Sequence, residues 1–277
     1  MLSLAQRTTT TRRGVLATRR GVLGLLWYTT SATVARADAP TSHLTLPPLK
    51  DGGRRLYLVR HGETDWNVDE RIQGRTDNPL NANGRSQAAA LSRFLVDQPL
   101  ELITSSNLLR AAQTADVVAS AHPMASRIPG LSELAEMCFG DFEGQRIPEI
   151  VTAKTAVEKA WADGDTARSW PGKGGESPDD VATRGRAGLR ALGLLPAEDG
   201  DRACTAAAAT SARHVLVVAH GRFNKILLAA LQGNISRASE VQQGNTCINV
   251  LDISRDGLCS VRALDVRDHL LEANAVK

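Results

Sequence analysis

A three-layer α/β fold with a mostly parallel central sheet is what this sequence predicts, and three observations predict it. The run Leu56-Tyr57-Leu58-Val59 is apolar, rich in strand formers, and passes directly into Arg60-His61-Gly62. That is how a strand buried on both faces reads when it ends in a functional loop. The run Val215-Leu216-Val217-Val218-Ala219 repeats the grammar and delivers His220-Gly221. Helical patterns alternate with these runs, as crossover connections between parallel strands require. In open α/β sheets ligands bind in the crevice beyond the carboxyl ends of the strands. One histidine at a strand end is most simply structural; two delivered in the same way read as a site.

Bulk properties set the frame. The chain has 277 residues, 42% hydrophobic and 23% charged, ordinary values for a globular protein with a sizeable core. Its net charge of +3 is unevenly spread, because residues 1–37 hold six arginines and no acid. The remainder is net acidic, so no nucleic-acid partner is expected. A leader rich in Arg, Ser and Thr and free of acids has the composition of an organelle transit peptide. Within it, Arg19-Arg20, a mildly apolar run over 21–28 and Ala35-Arg36-Ala37 resemble a twin-arginine export signal. A plastid address is expected, with onward export to the thylakoid lumen as an option and the mitochondrion as the alternative. The apolar run is too short for a stable membrane anchor. Cys138, Cys204, Cys247 and Cys259 show no C-x-x-C spacing, so neither a zinc nor a redox motif is signalled.

The elements follow in order. Residues 38–53, with three prolines and two glycines, read as a flexible linker before the domain at 54–277. After the first strand, 64–80 is a long polar loop, ordered through Trp66 and Ile72. A helix is expected over 84–96 and a strand over 100–104. Ser105-Ser106-Asn107 then offers caps for a helix over 108–121. Arg110 falls in that helix's first turn, where a cation opposes the helix dipole unless it answers an anion. An acidic, glycine-punctuated loop covers 131–144, a helix 147–161, and a glycine-rich loop 170–177. Gly172-Lys173 there is followed by Gly174, not Ser or Thr, and no apolar strand precedes it, so it is not a P-loop. A helix spans 178–194, and 197–212 is a low-complexity mobile insert. The second histidine strand and its helix come next. Strands at 247–253 and 259–264, joined by Arg255-Asp256-Gly257, close the fold.

The ordered series Arg60-His61-Gly62-Glu63-Thr64 with Trp66-Asn67, Gln73-Gly74 through Asp77, Pro79-Leu80 and Gly84, Ser106-x-Leu108-x-Arg110-Ala111-x-x-Thr114, Leu134-x-Glu136 through Gly140-Asp141-Phe142-Glu143-Gly144, Gly174-Gly175-Glu176-Ser177, Ala219-His220-Gly221 and Asn245-Thr246 resembles the histidine phosphatase, or phosphoglycerate mutase-like, superfamily. The resemblance covers about 54–265 and implies the phosphoglycerate mutase-like fold. It implies His61 as nucleophile, forming a phosphohistidine, with Arg60, Arg110 and His220 neutralising the phosphoryl group. Asn67 and Gln73 would add neutral donors, and Gly221 belongs to the same binding set. With these charges in place, no cofactor and no divalent ion is required. Glu136 would protonate the leaving oxygen and then activate water. Glu133 is its rival, but the family's acid lies four residues before the glycine that here is Gly140. The substrate would be a small phosphorylated metabolite. The tryptophan-rich acid loop and long insert of the mutases are not visible, which favours a small phosphatase. A mutase using the same residues, or an idle phosphate-binding scaffold, are the alternatives. Arg75 and Arg222 are further positive charges expected near the mouth, suited to a second anionic group on the substrate.

Overall fold

The computed structural model describes residues 44–198 and 211–275. The expected leader, the first part of the linker and 199–210 of the insert lie outside them. At the centre is β1 (Arg54–Arg60), buried along its length except at its two ends. Leu56 and Leu58 enter one apolar core and Tyr57 and Val59 the other, which is why the run is apolar throughout. The remaining strands are β2 (Leu102–Ser105), β3 (Ser126–Arg127), β4 (His214–Ala219), β5 (Ile248–Ile253) and β6 (Cys259–Val266). Their order is β3-β2-β4-β1-β5-β6. Pairings among β1 to β4 are parallel, and β5 and β6 are antiparallel. The sheet is mostly parallel, with the expected hairpin closing through Gly257 at φ 84°.

Helices cover both faces. They are α1 (Asp65–Val68), α2 (Ala82–Phe94), α3 (Leu109–Ser120), α4 (Ile147–Ala162), α5 (Pro178–Ala191), α6 (Gly221–Leu231) and α7 (Asp268–Ala275). Leu91 and Phe94 of α2 and Ala111, Ala115 and Val118 of α3 pack with Tyr57 and Val59. On α7, His269 stacks on Phe94 from the same side. Val157 and Trp161 of α4, Val181 and Leu189 of α5, and Phe223 and Leu227 of α6 join Leu56 and Leu58 on the other. The result is the expected three layers.

Several boundaries differ for physical reasons. The Ser105-Ser106-Asn107 cluster does not cap α3. Leu108 is the N-cap and makes no side-chain cap bond. Instead Leu109 N donates to Asp77 Oδ1 at 2.6 Å, a cap supplied by the long loop and invisible to local reading. The helix over 178–194 stops at Ala191, where Gly193 at φ 68° ends it. The described part of the linker is docked, not free: Leu44 is buried, Gln98 Nε2 donates to Leu44 O at 2.9 Å and Arg55 Nη2 to Pro47 O at 2.8 Å. No helix among the described residues is long and apolar enough to cross a membrane.

Candidate active site

Three parallel strands end at one edge. Register pairs Arg60 with Ala219 and Ser105 with Val218. His61 N donates to Ala219 O at 3.0 Å, and Ser106 N to Val218 O at 2.9 Å. His61, His220 and Ser106 thus meet because each is the first residue past its strand. The two imidazole centroids are 5.2 Å apart. Running the other way, β5 begins where β1 ends, so Asn245 Nδ2 and Thr246 N donate to His61 O at 3.2 and 3.3 Å. A Cβ on Gly62 would fall 2.5 Å from Gly84 O, so this loop and the start of α2 can approach only through glycines.

The two histidines differ in which nitrogen is engaged. His61 Nδ1 lies 2.6 Å from Gly62 O. A carbonyl only accepts, so Nδ1 carries the hydrogen and Nε2 keeps its lone pair. His220 Nε2 lies 2.6 Å from Ser106 Oγ, which itself accepts from Leu108 N at 3.1 Å. With the serine donating to Nε2, Nδ1 of His220 is the N–H, and it is buried without a partner among the described residues. Burial holds both imidazoles well below the ordinary histidine range, and the positive charge of Arg110 pushes the same way. They are neutral at physiological pH.

A cavity of about 310 Å³ opens at this edge. Arg60, His61, Asn67, Gln73, Arg110, Glu136 and Gly221 line it; His220 is fully buried beside His61 and is not part of the lining. The arginine forks are aimed by backbone carbonyls. Arg110 Nη1 donates to Thr76 O at 2.8 Å and Nη2 to Gly74 O at 2.9 Å. Arg60 Nη1 donates to Gln243 O at 2.7 Å. Their Nε atoms are buried without partners. Burial draws Arg110 down to about 10, still cationic at neutral pH. Gly221 leaves room for Arg60, since a Cβ there would stand 3.3 Å from its Nε. Asn67 caps α1 with Thr64, its Oδ1 accepting from Thr64 N at 3.1 Å, so its amide nitrogen is the group left for a ligand.

Glu136 is anchored by three amides: Met137 N and Phe223 N at 2.8 Å and Arg222 N at 3.1 Å. The last two belong to the first turn of α6, so this carboxylate also caps that helix. Glu133 does not line the cavity and hydrogen-bonds its neighbour Ser132. Spacing therefore selected the acid that reaches the cavity. Arg75 is a correction. It lies off the cavity wall, and its guanidinium pairs with Glu176 at 3.2 Å. Arg222 does line the cavity, but its guanidinium pairs with Glu158 and stacks over Trp161.

Sequence reasoning missed the framework behind these groups. Arg184 of α5 donates to Glu133 O, Ala135 O and Glu136 O at 2.7 to 3.2 Å, and its Nε meets Glu176 Oε1 at 2.8 Å. This fixes the acid loop from below; the only signal was a helix bearing several arginines. Gln243, whose carbonyl aims Arg60, is held by Asn224 and Asn249 in a buried polar network. Lys154 and Lys225 line the outer wall and carried no motif. No group of three or more His, Cys, Asp or Glu placed to hold a metal occurs among the described residues.

Comparison with known proteins agrees with this geometry. The histidine phosphatase superfamily (branch 1) matches over residues 56–266. The glucosyl-3-phosphoglycerate phosphatase of Mycolicibacterium vanbaalenii is 37% identical over 180 residues, 65% of this chain and 75% of that one. A probable phosphoglycerate mutase of Proteus mirabilis is 37% identical over a shorter stretch, 51% of this chain and 64% of its own. Among solved structures, mycobacterial glucosyl-3-phosphoglycerate phosphatase in complex with VO3 has a TM-score of 0.62 at 29% identity and covers 77% of this chain and 99% of its own. A strand-end histidine, two carbonyl-aimed arginines and an amide-anchored carboxylate line one cavity with a second histidine buried beside it, and the chain belongs to the histidine phosphatase superfamily, branch 1, as a phosphatase of that family.

Proposed function

We propose that this phosphatase hydrolyses a small phosphomonoester in two steps at His61, with Glu136 handling the proton in each. The single observation that carries the reading is the contact of His61 Nδ1 with Gly62 O at 2.6 Å. It commits the Nε2 lone pair to the cavity and gives the positive charge that grows on the ring during attack a carbonyl to face. Arg60 and Arg110 bring planar forks to the equatorial phosphoryl oxygens, and Asn67 and Gln73 supply neutral groups. The buried N–H of His220 serves as a further donor reached once the phosphoryl group seats.

In the first step Nε2 attacks phosphorus, the P–O ester bond breaks, and the alkoxide takes the proton of Glu136. In the second the Glu136 carboxylate accepts a proton from water, whose oxygen attacks phosphorus and releases His61 and inorganic phosphate. The mycobacterial relative has been solved in complex with VO3, an oxyanion of phosphate-like shape, which supports a pocket built for a phosphoryl group. The relatives' names place acid-bearing three-carbon phosphates and their glycosides first in a substrate screen.

The test is to quench turnover of a ³²P-labelled substrate in base. Label should stay on the wild-type chain in an acid-labile form and be absent from His61→Ala, which should also lose turnover while keeping its melting temperature. Labelling of His61→Ala would overturn the assignment.

A further inference from the structure

Beyond the phosphate pocket, the cavity wall formed by α4 and α6 carries Lys154, Arg222 and Lys225. Arg222 and Lys225 stand three residues apart on α6 and so share a face. Among the described residues one carboxylate answers this group. Glu158 takes Lys154 Nζ at 2.6 Å and also pairs with Arg222. Lys225 has neither a hydrogen bond nor an ion pair. Lys225 is half-buried; its desolvation and the charges of Arg222 and Arg60 disfavour the ammonium, and the attraction of Glu158 offsets this only in part. A cation kept at a cavity wall against that cost has its counter-charge supplied from outside. Ile72, Phe139 and Ile147 supply the apolar part of the lining, and Arg71, also in it, donates to Gly144 O and lies over Trp66.

We infer that this wall is a second anion subsite, with Lys225 as its principal donor, and that it selects phosphomonoesters bearing a carboxylate. A carboxylate, not a second phosphate, fits because Glu158 already occupies two of the three cations and leaves one ammonium unmatched. The inference rests on the phosphatase reading of the same cavity. It replaces the sequence-based expectation that Arg75 and Arg222 would do this work. Lys225, as a flexible ammonium, reaches a carboxylate without bidentate geometry.

Matched substrates test it. 3-Phosphoglycerate and glycerol 3-phosphate differ by a carboxylate in place of a hydroxymethyl group. The wild type should favour the acid. Lys225→Met should lower the ratio of their kcat/KM values about tenfold, mainly through KM, the size expected for one charged hydrogen bond. Lys225→Arg should retain most of the ratio, which separates charge from packing. An unchanged ratio, or no wild-type preference, overturns the subsite and leaves the phosphatase intact. Calorimetric titration of the same two ligands into full-length His61→Ala, with and without Lys225→Met, reads the subsite independently of chemistry. If neither compound is hydrolysed, acid-selective binding that Lys225→Met removes still supports the subsite, and equal binding of the two ligands overturns it.

Discussion

The loop after β1 and the loop after β4 begin alike and end differently. Each is an apolar parallel strand, then histidine, then glycine, and each histidine is buried and neutral. In the first, the ring is tied through Nδ1 to the carbonyl of its own loop, at Gly62. In the second, it is tied through Nε2 to Ser106, a residue from a third strand end. One arrangement leaves a lone pair and makes a nucleophile; the other leaves an N–H and makes a donor. The difference lies in the second partner of each imidazole, not in the histidine. Glu136 bridges the two, since it is anchored on the helix that follows the second loop and reaches the cavity of the first.

The largest effect that sharpens this contrast falls on Glu136. Alkoxide leaving groups need a proton in the transition state, whereas nitrophenolate needs far less. Glu136→Gln should therefore cost ~10²–10⁴-fold on alkyl phosphates. With a nitrophenyl ester phosphorylation should fall distinctly less, and phosphohistidine should accumulate because its hydrolysis has lost the base. Glu133→Gln should do neither. Stopped-flow burst kinetics with the two substrate types decides, and leaving-group dependence in the Glu133 variant alone would reverse the assignment.

Next come the partners of the second histidine. His220→Asn removes one donor to the phosphoryl group and should cost about 10²–10³-fold in kcat while phosphohistidine still forms. Ser106→Ala leaves the ring but frees its tautomer, and about tenfold is expected, since the donor form is then only part of the population. The comparison breaks if Ser106→Ala matches His220→Asn, because the serine would then act on substrate itself.

Smaller still is the pH dependence of stability, which the two loops share with α7. His61, His220 and His269 all titrate below the unfolded value of 6.5, His269 at about 4. In each case burial is the leading cause. The folded chain resists a proton that the unfolded chain accepts, so stability is full above pH 6.5 and falls as the pH drops through it. The slope is about 1.4 kcal/mol per pH unit for each such histidine once the unfolded ring is protonated. Glu158, Glu176 and Asp252 are held below their ordinary values, so their contribution is lost only at lower pH. His214 is lowered as well, so urea midpoints between pH 6.5 and 5 read four histidines, and His269→Phe should remove one histidine's share of that slope. A midpoint flat across this interval would contradict the neutral-imidazole assignment.

The outer wall departs from both loops in how it could be found. The loops were legible in the sequence because strand burial forces an apolar run, and the run's end marks the crevice. Glu136 was legible through the family resemblance, whose acid lies four residues before the glycine that here is Gly140. Lys154 and Lys225 gave no such sign, because a lysine on a helix face looks the same whether a cavity or water lies beyond it. The cap of α3 was misplaced for the same reason: Asp77 is far from Leu109 in sequence and 2.6 Å away in space. The short β3 forms where β2 supplies its hydrogen bonds, and the short α1 is held by the capping box of Thr64 and Asn67.

By itself, then, the sequence determined the two histidine strands and the mostly parallel sheet, which follow from hydrophobic period, while the residues of the phosphate pocket were named through the family resemblance. Only the tertiary structure decided which nitrogen of each histidine is free, that Arg75 faces Glu176, and that Lys225 stands without a counter-ion. Those depend on groups brought together from distant parts of the chain, and pairing of that kind leaves no period in the sequence.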